Sequence, residues 1–431
     1  MSLYGALYTG VAGLSANSRA MANTSTNIAN VNTVGYKSTR NEFSTLLSTT
    51  TIGSYTGGVK NVSVPQISTQ GNLLQTSSPT DLAISGQGFF TVTSAPTANP
   101  GVSEIVYTRA GAFQKDASGY LRNASGYYLQ GWALDVNGEI PTNANDVSII
   151  NLGQVNGTAL PTTEADLRIN LQSTAAVTSP YVAGDIAAGT VNPQLETSIE
   201  IFDSQGGSRP MSLAFIKSAA NTWQYEAIYE GDPADIGGAG NNPIATGTIT
   251  FNTDGTIATP AAAVTITIPF VAASGLSAQP IDFDMGTPGL ANGFTQFDTV
   301  STLYASDING TLYGGLSGVR VDENGFVIAL FTNGIETPLY KLPVATFLNA
   351  DGLGPLNGNA YRTSVESGPA SFKAADQAGA GKISNLAVEQ STVDIAKEFS
   401  DMIVIQRAYS AASKIITTAD EMLDELTRLK R

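Results

Sequence analysis

The chain has 431 residues, of which 42% are hydrophobic and only 13% are charged, and its formal net charge is −15. This length predicts two to four domains, and the negative charge argues against nucleic acids and anionic lipid surfaces as partners, because phosphate groups repel acidic proteins. The absence of Cys and His removes thiolate nucleophiles, disulfides, the commonest metal ligands and the commonest general base. We therefore expect a structural protein without metal or cofactor, not an enzyme.

The N-terminal segment lacks the pattern of a cleaved Sec signal. Such a signal begins with a positive charge followed by an apolar run, whereas the first cation here is Arg19 and Gly, Ser and Thr interrupt the residues before it. No run approaches the roughly 18 consecutive apolar residues of a membrane-spanning helix. We expect neither a cleaved Sec signal nor membrane insertion.

Residues spaced by four and three predict an amphipathic helix at the N-terminal end. This repeat also includes the polar Ser18 and Ser25. Because the side chains along this seam are small and partly polar, we expect close contact with other helices on more than one side. The apolar members of the repeat are Leu7, Val11, Leu14, Met21 and Ile28.

The middle of the chain changes to the period of two that is typical of β-strands. Turn signals recur there, so the sequence predicts a series of hairpins, and stretches rich in Pro, Thr and Ala near residues 141 to 165 and 257 to 263 bracket an inserted domain. The turn signals are Ser118-Gly119, Asn137-Gly138, Asp254-Gly255, Asn309-Gly310, Asn324-Gly325 and Asn333-Gly334.

The helical spacing returns near the C-terminal end and predicts a second helix of about 39 residues, roughly 58 Å long. Ser391 followed by Asp394 predicts an N-cap with an acid at the third position, and Ile403 lies beside the repeat. A three-residue step after Tyr409 shifts the register. Ala412 and Ala419 belong to the repeat, and its larger members include Val388, Ile395, Phe399, Met402, Tyr409, Ile415, Met422 and Leu426.

These elements predict a mainly β protein with long helical termini. Both ends join the same β-body, so the terminal helices pair antiparallel as a coiled-coil-like core, with two β-rich domains outside. We assign residues 1–75 and 366–431 to the helical core domain with its connecting segment, 76–145 and 298–365 to a discontinuous middle β-domain, and 146–297 to an outer inserted β-domain. Because the seams are weakly apolar, we expect both ends to be disordered in the isolated chain and to order on self-assembly.

The segment from residue 27 to residue 37, NIANVNTVGYK, resembles the signature of flagellar rod and hook proteins. Its Asn-rich composition disfavours continued helix, and Gly35 permits a positive φ where the chain leaves the seam. TDLAISGQGFF at 80–90, YTRAGAF at 107–113 and the C-terminal segment from 393 to 426 resemble the same family. The motif residues are Asn27, Ala29, Asn30, Thr33, Gly35, Tyr36 and Lys37.

Within this family the middle of the chain favours a hook-type member, because IFDSQGGSRPMSLAFIK at 201–217 resembles the outer hook domain. The resemblance implies an extracellular curved tube of identical copies that joins the rod to the filament. It also implies contacts with distal rod, hook cap and hook-filament junction proteins, and export by the flagellar type III apparatus. Phe43 and Leu47 fit a weak export-gate pattern, although ordinary packing explains them equally well.

Two alternatives remain open from the sequence. The first is a distal rod or hook-associated axial protein, which would lack most of the inserted region. The second is a secreted β-rich adhesin or glycan-acting enzyme, in which Trp132 and Trp223 would provide a sugar platform, although solitary tryptophans of β-domains are more often core residues.

Overall fold

The computed structural model describes residues 3–50, 54–95, 104–135 and 138–429, and it describes only the backbone of residues 3, 4, 47–50, 54–56, 426 and 429, which include Leu47 and Leu426. Its described residues form a mainly β protein with one α-helix near each end. Helix α1 spans Leu3–Ala29 and helix α2 spans Ile395–Leu429. Both helices lie where the apolar spacing predicts them.

The start of α2 differs from the prediction in two respects. Val388, expected in the helical seam, is buried in a β-strand instead, and the helix begins seven residues later, at Ile395. The N-cap is Asp394 and not Ser391, because the Asp394 carboxylate accepts hydrogen bonds from the amides of Ala396 and Lys397, at 2.9 and 3.2 Å. The side chain of Ser391, the predicted N-cap, instead accepts a hydrogen bond from the backbone amide of Val393, which precedes the helix.

The strands are numbered in chain order. The first ten are β1 (Thr39–Thr50), β2 (Ser54–Pro65), β3 (Leu73–Gln75), β4 (Leu82–Ser85), β5 (Phe89–Thr93), β6 (Ile105–Thr108), β7 (Phe113–Lys115), β8 (Leu121–Asn123), β9 (Tyr128–Ala133) and β10 (Ser148–Ile149). The next ten are β11 (Gly157–Leu160), β12 (Glu164–Asn170), β13 (Leu195–Phe202), β14 (Ser208–Ala219), β15 (Thr222–Tyr229), β16 (Ala245–Phe251), β17 (Ile257–Thr259), β18 (Val264–Ile268), β19 (Gln279–Asp284) and β20 (Thr302–Ile308). The last nine are β21 (Thr311–Val321), β22 (Phe326–Phe331), β23 (Glu336–Lys341), β24 (Pro343–Thr346), β25 (Gly354–Leu356), β26 (Ala360–Arg362), β27 (Ser371–Ala374), β28 (Lys382–Asn385) and β29 (Ala387–Glu389).

The chain divides into two compact units. The first unit comprises Met1–Val155, Gly318–Leu330 and Glu336–Arg431, and the second comprises Asn156–Ser317 and Phe331–Ile335. In the first unit β5 pairs antiparallel with β6, β9 and β24, and an aromatic core forms where Phe347 makes edge contacts with Phe89 and Tyr107. Two short pairs, β28 with β4 and β29 with β3, join the segment before α2 to the strands that follow β2.

The second unit contains two sheets that share an apolar core. Strands β13 to β17 form a five-stranded antiparallel meander, and β18, β19, β12 and β20 form a four-stranded sheet in that order. Trp223, Phe215 and Phe283 are fully buried in the core that both sheets share. Trp132, in the first unit, is also buried, so both tryptophans are core residues and do not form an exposed sugar platform.

Strands β1 and β2 form a long hairpin where the sequence predicts only a connecting segment. They pair in register from Thr39↔Pro65 to Thr50↔Ser54. The hairpin contacts α1 along the helix, so this region has its own β structure next to the terminal helix. Neither α1 nor α2, within the residues described, has the length and apolarity needed to cross a membrane.

Candidate assembly surface

Helices α1 and α2 contact each other through small residues. A Cβ built at Gly13 would lie 3.5 Å from the Cβ of Ala412, and one built at Gly10 would lie 3.0 Å from Cγ1 of Ile416. At the other end of the pair, Asn27 donates a hydrogen bond to Glu398 at 2.9 Å. The start of α1 therefore meets the later part of α2 while its end meets the first turn of α2, which is an antiparallel pairing.

The large apolar residues of α2 mostly lie outside this contact. With about 3.6 residues per turn, the buried line through Ile405, Ala412 and Ala419 faces α1. Away from this line, Ile395, Phe399 and Ile403 form an exposed flank on one side of the helix, and Val404, Ile415 and Met422 form a second flank on the other side. Their exposed fractions run from 45% to 64%.

The remaining predicted seam residues have mixed positions. Tyr409 is 42% exposed and Met402 is half-buried. On α1, Val11 is 56% exposed, whereas the other four seam residues are half-buried. The side chain of Leu426 lies outside the described residues. Half-buried on α1 are Leu7, Leu14, Met21 and Ile28.

The second contact of α1, with the β1–β2 hairpin, includes a series of side-chain hydrogen bonds. Asn23 donates to the side chains of Asn41 and Ser63 at 2.7 and 2.6 Å. Asn41 in turn accepts from Asn61 at 3.2 Å, and near the hairpin tip Thr9 donates to the carbonyl of Gly57 at 2.7 Å. Side-chain hydrogen bonds therefore connect the hairpin to α1 along much of its length.

The family-motif residues form the junction that follows α1. The Asn27 amide donates to the carbonyl of Thr39, and its oxygen accepts from the Tyr36 hydroxyl and the Thr39 amide. Thr33 donates to the side chain of Asn30 at 3.2 Å, while Ala29 is the exposed last residue of the helix. Asn27 thus links the helix end to the start of the hairpin.

Gly35 occupies a position that only glycine tolerates. Its φ is +69°, and a Cβ there would lie 2.6 Å from the amide nitrogen of Ala110. Its own amide donates to the carbonyl of Glu389 at 2.8 Å. The positive φ expected from the motif is therefore present, and it brings the segment after α1 to the strand before α2.

The motif lysine, Lys37, belongs to a buried charge cluster. Lys37 and Arg109 both form ion pairs with Glu389, Arg109 at 3.1 Å, and all three side chains are 2% exposed or less. Arg109 also donates to the carbonyls of Ile84 and Gly86, at 3.1 and 2.7 Å. Burial lowers the pKa of Lys37 although the neighbouring Glu389 favours its charged form, and burial likewise lowers the pKa of Arg109.

Glu389 and Arg109 were not identified as functional from the sequence. A signal was nevertheless present, because in a chain with only 13% charged residues each of them lies among uncharged neighbours, in AVEQ and YTRAG. Lone charges in such segments are buried only when they are paired. The three residues are far apart in the sequence, so their spacing does not reveal that they meet.

The two residues of the export-gate pattern lie on β1. Phe43 is 49% exposed, and of Leu47 only the backbone is described, paired with Gly57. Phe43 borders a groove of about 420 Å³ together with Val404 and Ile405 of α2. This position is consistent with either reading of the pattern.

Four family models match the chain in succession. Residues 7–37 match the flagella basal body rod protein family, and 83–157 match the D1 domain of flagellar hook protein FlgE/F/G. Residues 170–311 match the flagellar basal body protein FlaE D2 domain, and 385–429 match the flagellar basal body rod FlgEFG protein C-terminal family.

The flagellar hook protein FlgE of Caulobacter vibrioides is 33% identical to this chain, and the alignment covers 100% of both proteins. The chain belongs to the flagellar hook protein family. Hook proteins of Brucella melitensis and Escherichia coli are 34% and 30% identical, over 100% and 97% of this chain and 100% and 98% of their own. The crystal structure of Helicobacter pylori flagellar hook protein FlgE2 aligns with a TM-score of 0.46 and 14% identity, over 72% of this chain and 98% of that one.

Membership of the hook protein family confirms three expectations from the sequence. The chain is a structural subunit of the flagellum and not an enzyme, which excludes the glycan-acting alternative. Its relatives over the full length are hook proteins, so the hook assignment is confirmed over that of a distal rod protein. A protein of this family self-polymerises within the hook and basal body.

Proposed function

We propose that the chain forms the hook by packing its terminal helices into the inner wall of a curved tube, which acts as a universal joint and transmits torque from rod to filament. The observation that carries this proposal is the pair of exposed apolar flanks on α2. Each flank presents three large apolar side chains, and full burial of each such side chain contributes roughly 1.5–3 kcal/mol. Neighbouring copies on both sides would provide that burial.

The proposal includes the layered arrangement expected from the sequence. We assign the coiled-coil-like helical core to 1–75 and 366–431, the middle β-domain to 76–145 and 298–365, and the outer β-domain to 146–297. Interlocked helices resist twisting, whereas polar contacts between outer domains break and re-form readily in water, so the tube bends while it rotates. We also infer that both ends order fully only on assembly.

The proposed partners are further copies of the chain, the distal rod, the hook cap and the hook-filament junction proteins. The subunit reaches the extracellular hook through the flagellar type III apparatus without cleavage of a Sec signal. Phe43 and Leu47, on the exposed hairpin, are the candidate export-gate residues. The outer domain has no proposed ligand, and the mechanism requires no cofactor.

Replacing an apolar flank residue by a charge tests the assembly surface. Ile403→Asp is expected to abolish hook formation, because an aspartate buried between neighbouring helices lacks a partner. Met402→Asp, at a half-buried position of the same turn, is expected to have the same effect. Hooks are counted by electron microscopy of basal bodies, and the folding of the sheets is followed by circular dichroism of the purified chain.

The matched control is Ser400→Asp, which adds the same charge at an exposed polar position less than one turn away. We expect this variant to assemble. Normal hooks from Ile403→Asp with a folded chain would contradict the proposal. Straight polymers from the unmodified chain would instead favour a rod-like function, and failure to polymerise would favour neither.

A further inference from the structure

The charge cluster at Glu389 lies where the helices join the sheets. Residues 30–38 link α1 to the β1–β2 hairpin. Residues 66–72 connect the hairpin to the strands of the first unit, and residues 390–394 connect those strands to α2. A force applied to the helices can therefore reach the sheets only through these segments and the contacts around them. Their arrangement decides how rigidly the helices are held.

All three connections bind Glu389. From the link after α1, the Gly35 amide donates to the Glu389 carbonyl at 2.8 Å, and the Lys37 ammonium pairs with the carboxylate. From the link after β2, the Gly71 amide donates to the same carboxylate at 2.7 Å, and Lys37 also donates to the carbonyl of Thr69. The third connection continues directly from Glu389, whose neighbour Gln390 donates to the carbonyl of Asn72 at 2.8 Å.

Arg109 attaches this junction to the sheets. Besides its ion pair with Glu389, it donates to two carbonyls at the end of β4 and the turn that follows, and its guanidinium lies 5.2 Å from the centre of the Phe89 ring. The cluster thus contains two buried cations and one buried anion. Because Glu389 is the shared partner, it is the residue whose loss leaves two buried charges uncompensated.

We propose that Glu389 is a positioning residue, which holds the connections between the terminal helices and the sheets in one arrangement so that torque passes between them without the connections yielding. This inference rests on the proposed function and adds the residue that couples its layers. It differs from a general contribution to stability, because it requires local rigidity at Gly35 and Gly71 in particular.

The test compares Glu389→Gln with a control that weakens the same unit elsewhere. Val92→Ala creates a small cavity in buried β5 without touching the cluster. We expect Glu389→Gln to increase amide exchange at Gly35 and Gly71 by roughly tenfold or more, because a neutral amide oxygen accepts more weakly from Gly71 and the loss of both ion pairs frees the segments around the two glycines. We also expect few or irregular hooks from it, whereas Val92→Ala keeps slow exchange at these amides and forms normal hooks.

A second substitution provides the sharpest readout. Lys37→Met added to Glu389→Gln removes one of the two unpaired cations, so the double variant is expected to form more hooks and to melt at a higher temperature than Glu389→Gln alone. Lys37→Met by itself keeps the Glu389–Arg109 pair and should fold, which leaves a usable variant if Glu389→Gln does not. In that variant we expect faster amide exchange at Gly71 than in the unmodified chain, because Lys37 no longer fixes the Glu389 carboxylate that accepts from Gly71 or the nearby carbonyl of Thr69.

Two outcomes would overturn the inference. One is that Glu389→Gln and Val92→Ala form hooks in proportion to their melting temperatures alone, and the other is unchanged exchange at Gly71 in Lys37→Met. The result for the proposed function is separate, because Ile403→Asp should prevent assembly while the amides of Gly35 and Gly71 stay protected.

Discussion

The two sides of α1 differ in chemistry although both are covered by the same chain. Towards α2 the closest contacts are those of Gly10 and Gly13, which bring two backbones close together, and a single hydrogen bond from Asn27 to Glu398 lies at the other end of the pair. Towards the hairpin, hydrogen bonds such as that from Asn23 to Asn41 accompany the approach of Ala12 to Gly58. Close packing permits one arrangement, whereas exposed polar contacts exchange with water at little cost. The comparison predicts a fixed helix pair and an adjustable hairpin.

The largest effect should follow from filling the contact between the helices. Gly10→Leu would force its side chain against Ile416, where even a Cβ would lie only 3.0 Å from Cγ1, so we expect a loss of about 1–3 kcal/mol and no hooks. Gly58→Ala is the hairpin control, because a Cβ there meets Ala12 and Leu46 at the ordinary distances of 3.6 and 3.5 Å. Electron microscopy of hooks from both variants measures the difference, and assembly of Gly10→Leu would break the comparison.

Engineered disulfides sharpen the same comparison, since the chain contains no Cys. Gly13→Cys with Ala412→Cys would join α1 to α2, and Ala12→Cys with Gly58→Cys would join α1 to the hairpin. The corresponding Cβ distances are 3.5 and 3.6 Å, within the range of natural disulfides. We expect the helix–helix crosslink to leave hook bending unchanged, and the hairpin crosslink to straighten or stiffen assembled hooks.

Bending is measured by electron microscopy of hook curvature before and after oxidation, and a reductant should restore the original curvature. Each single-cysteine variant is the control for the substitution itself. If the two crosslinks affect curvature equally, the hairpin is no more adjustable than the helix pair.

The smallest effect concerns pH. Burial raises the pKa of Glu398, and Asp401 adds to this shift, although the Asn27 amide favours the charged form. A carboxyl with a raised pKa binds its proton more tightly in the folded chain, so it destabilises the helix junction at neutral pH. This penalty is lost as the pH falls through the raised pKa. Depolymerisation temperatures of assembled hooks should therefore rise slightly on mild acidification, and Glu398→Gln should remove that rise.

Sequence periodicity identified both terminal helices because their spacing continues over many turns. It did not identify which face of α2 meets α1, since Ala412 and Ala419 share a repeat with the larger Ile415 and Met422. By hydrophobicity the larger residues are the better candidates for the face that meets α1, whereas close contact between two helices requires the smaller residues there. The predicted seam residues are consequently on or beside the exposed flanks.

Long-range contacts account for the other differences. Val388 fits the helical spacing, yet its segment pairs with β3 as a strand, and the tertiary contact overrides the local pattern. The hairpin was missed because Thr, Ser and Gly residues make its alternation weak. Arg109 and Glu389 meet only in the folded chain, so no local signal joins them.

The two apolar flanks of α2 are different surfaces on opposite sides of one helix, so two copies cannot satisfy both by a reciprocal two-fold contact. If both flanks bind neighbouring copies as proposed, the association is heterologous, and each added copy leaves an unfilled flank at the growing end. Such a contact can repeat without limit and does not fix the number of subunits. In that arrangement the length of the polymer must be set by something other than the contacts that build it.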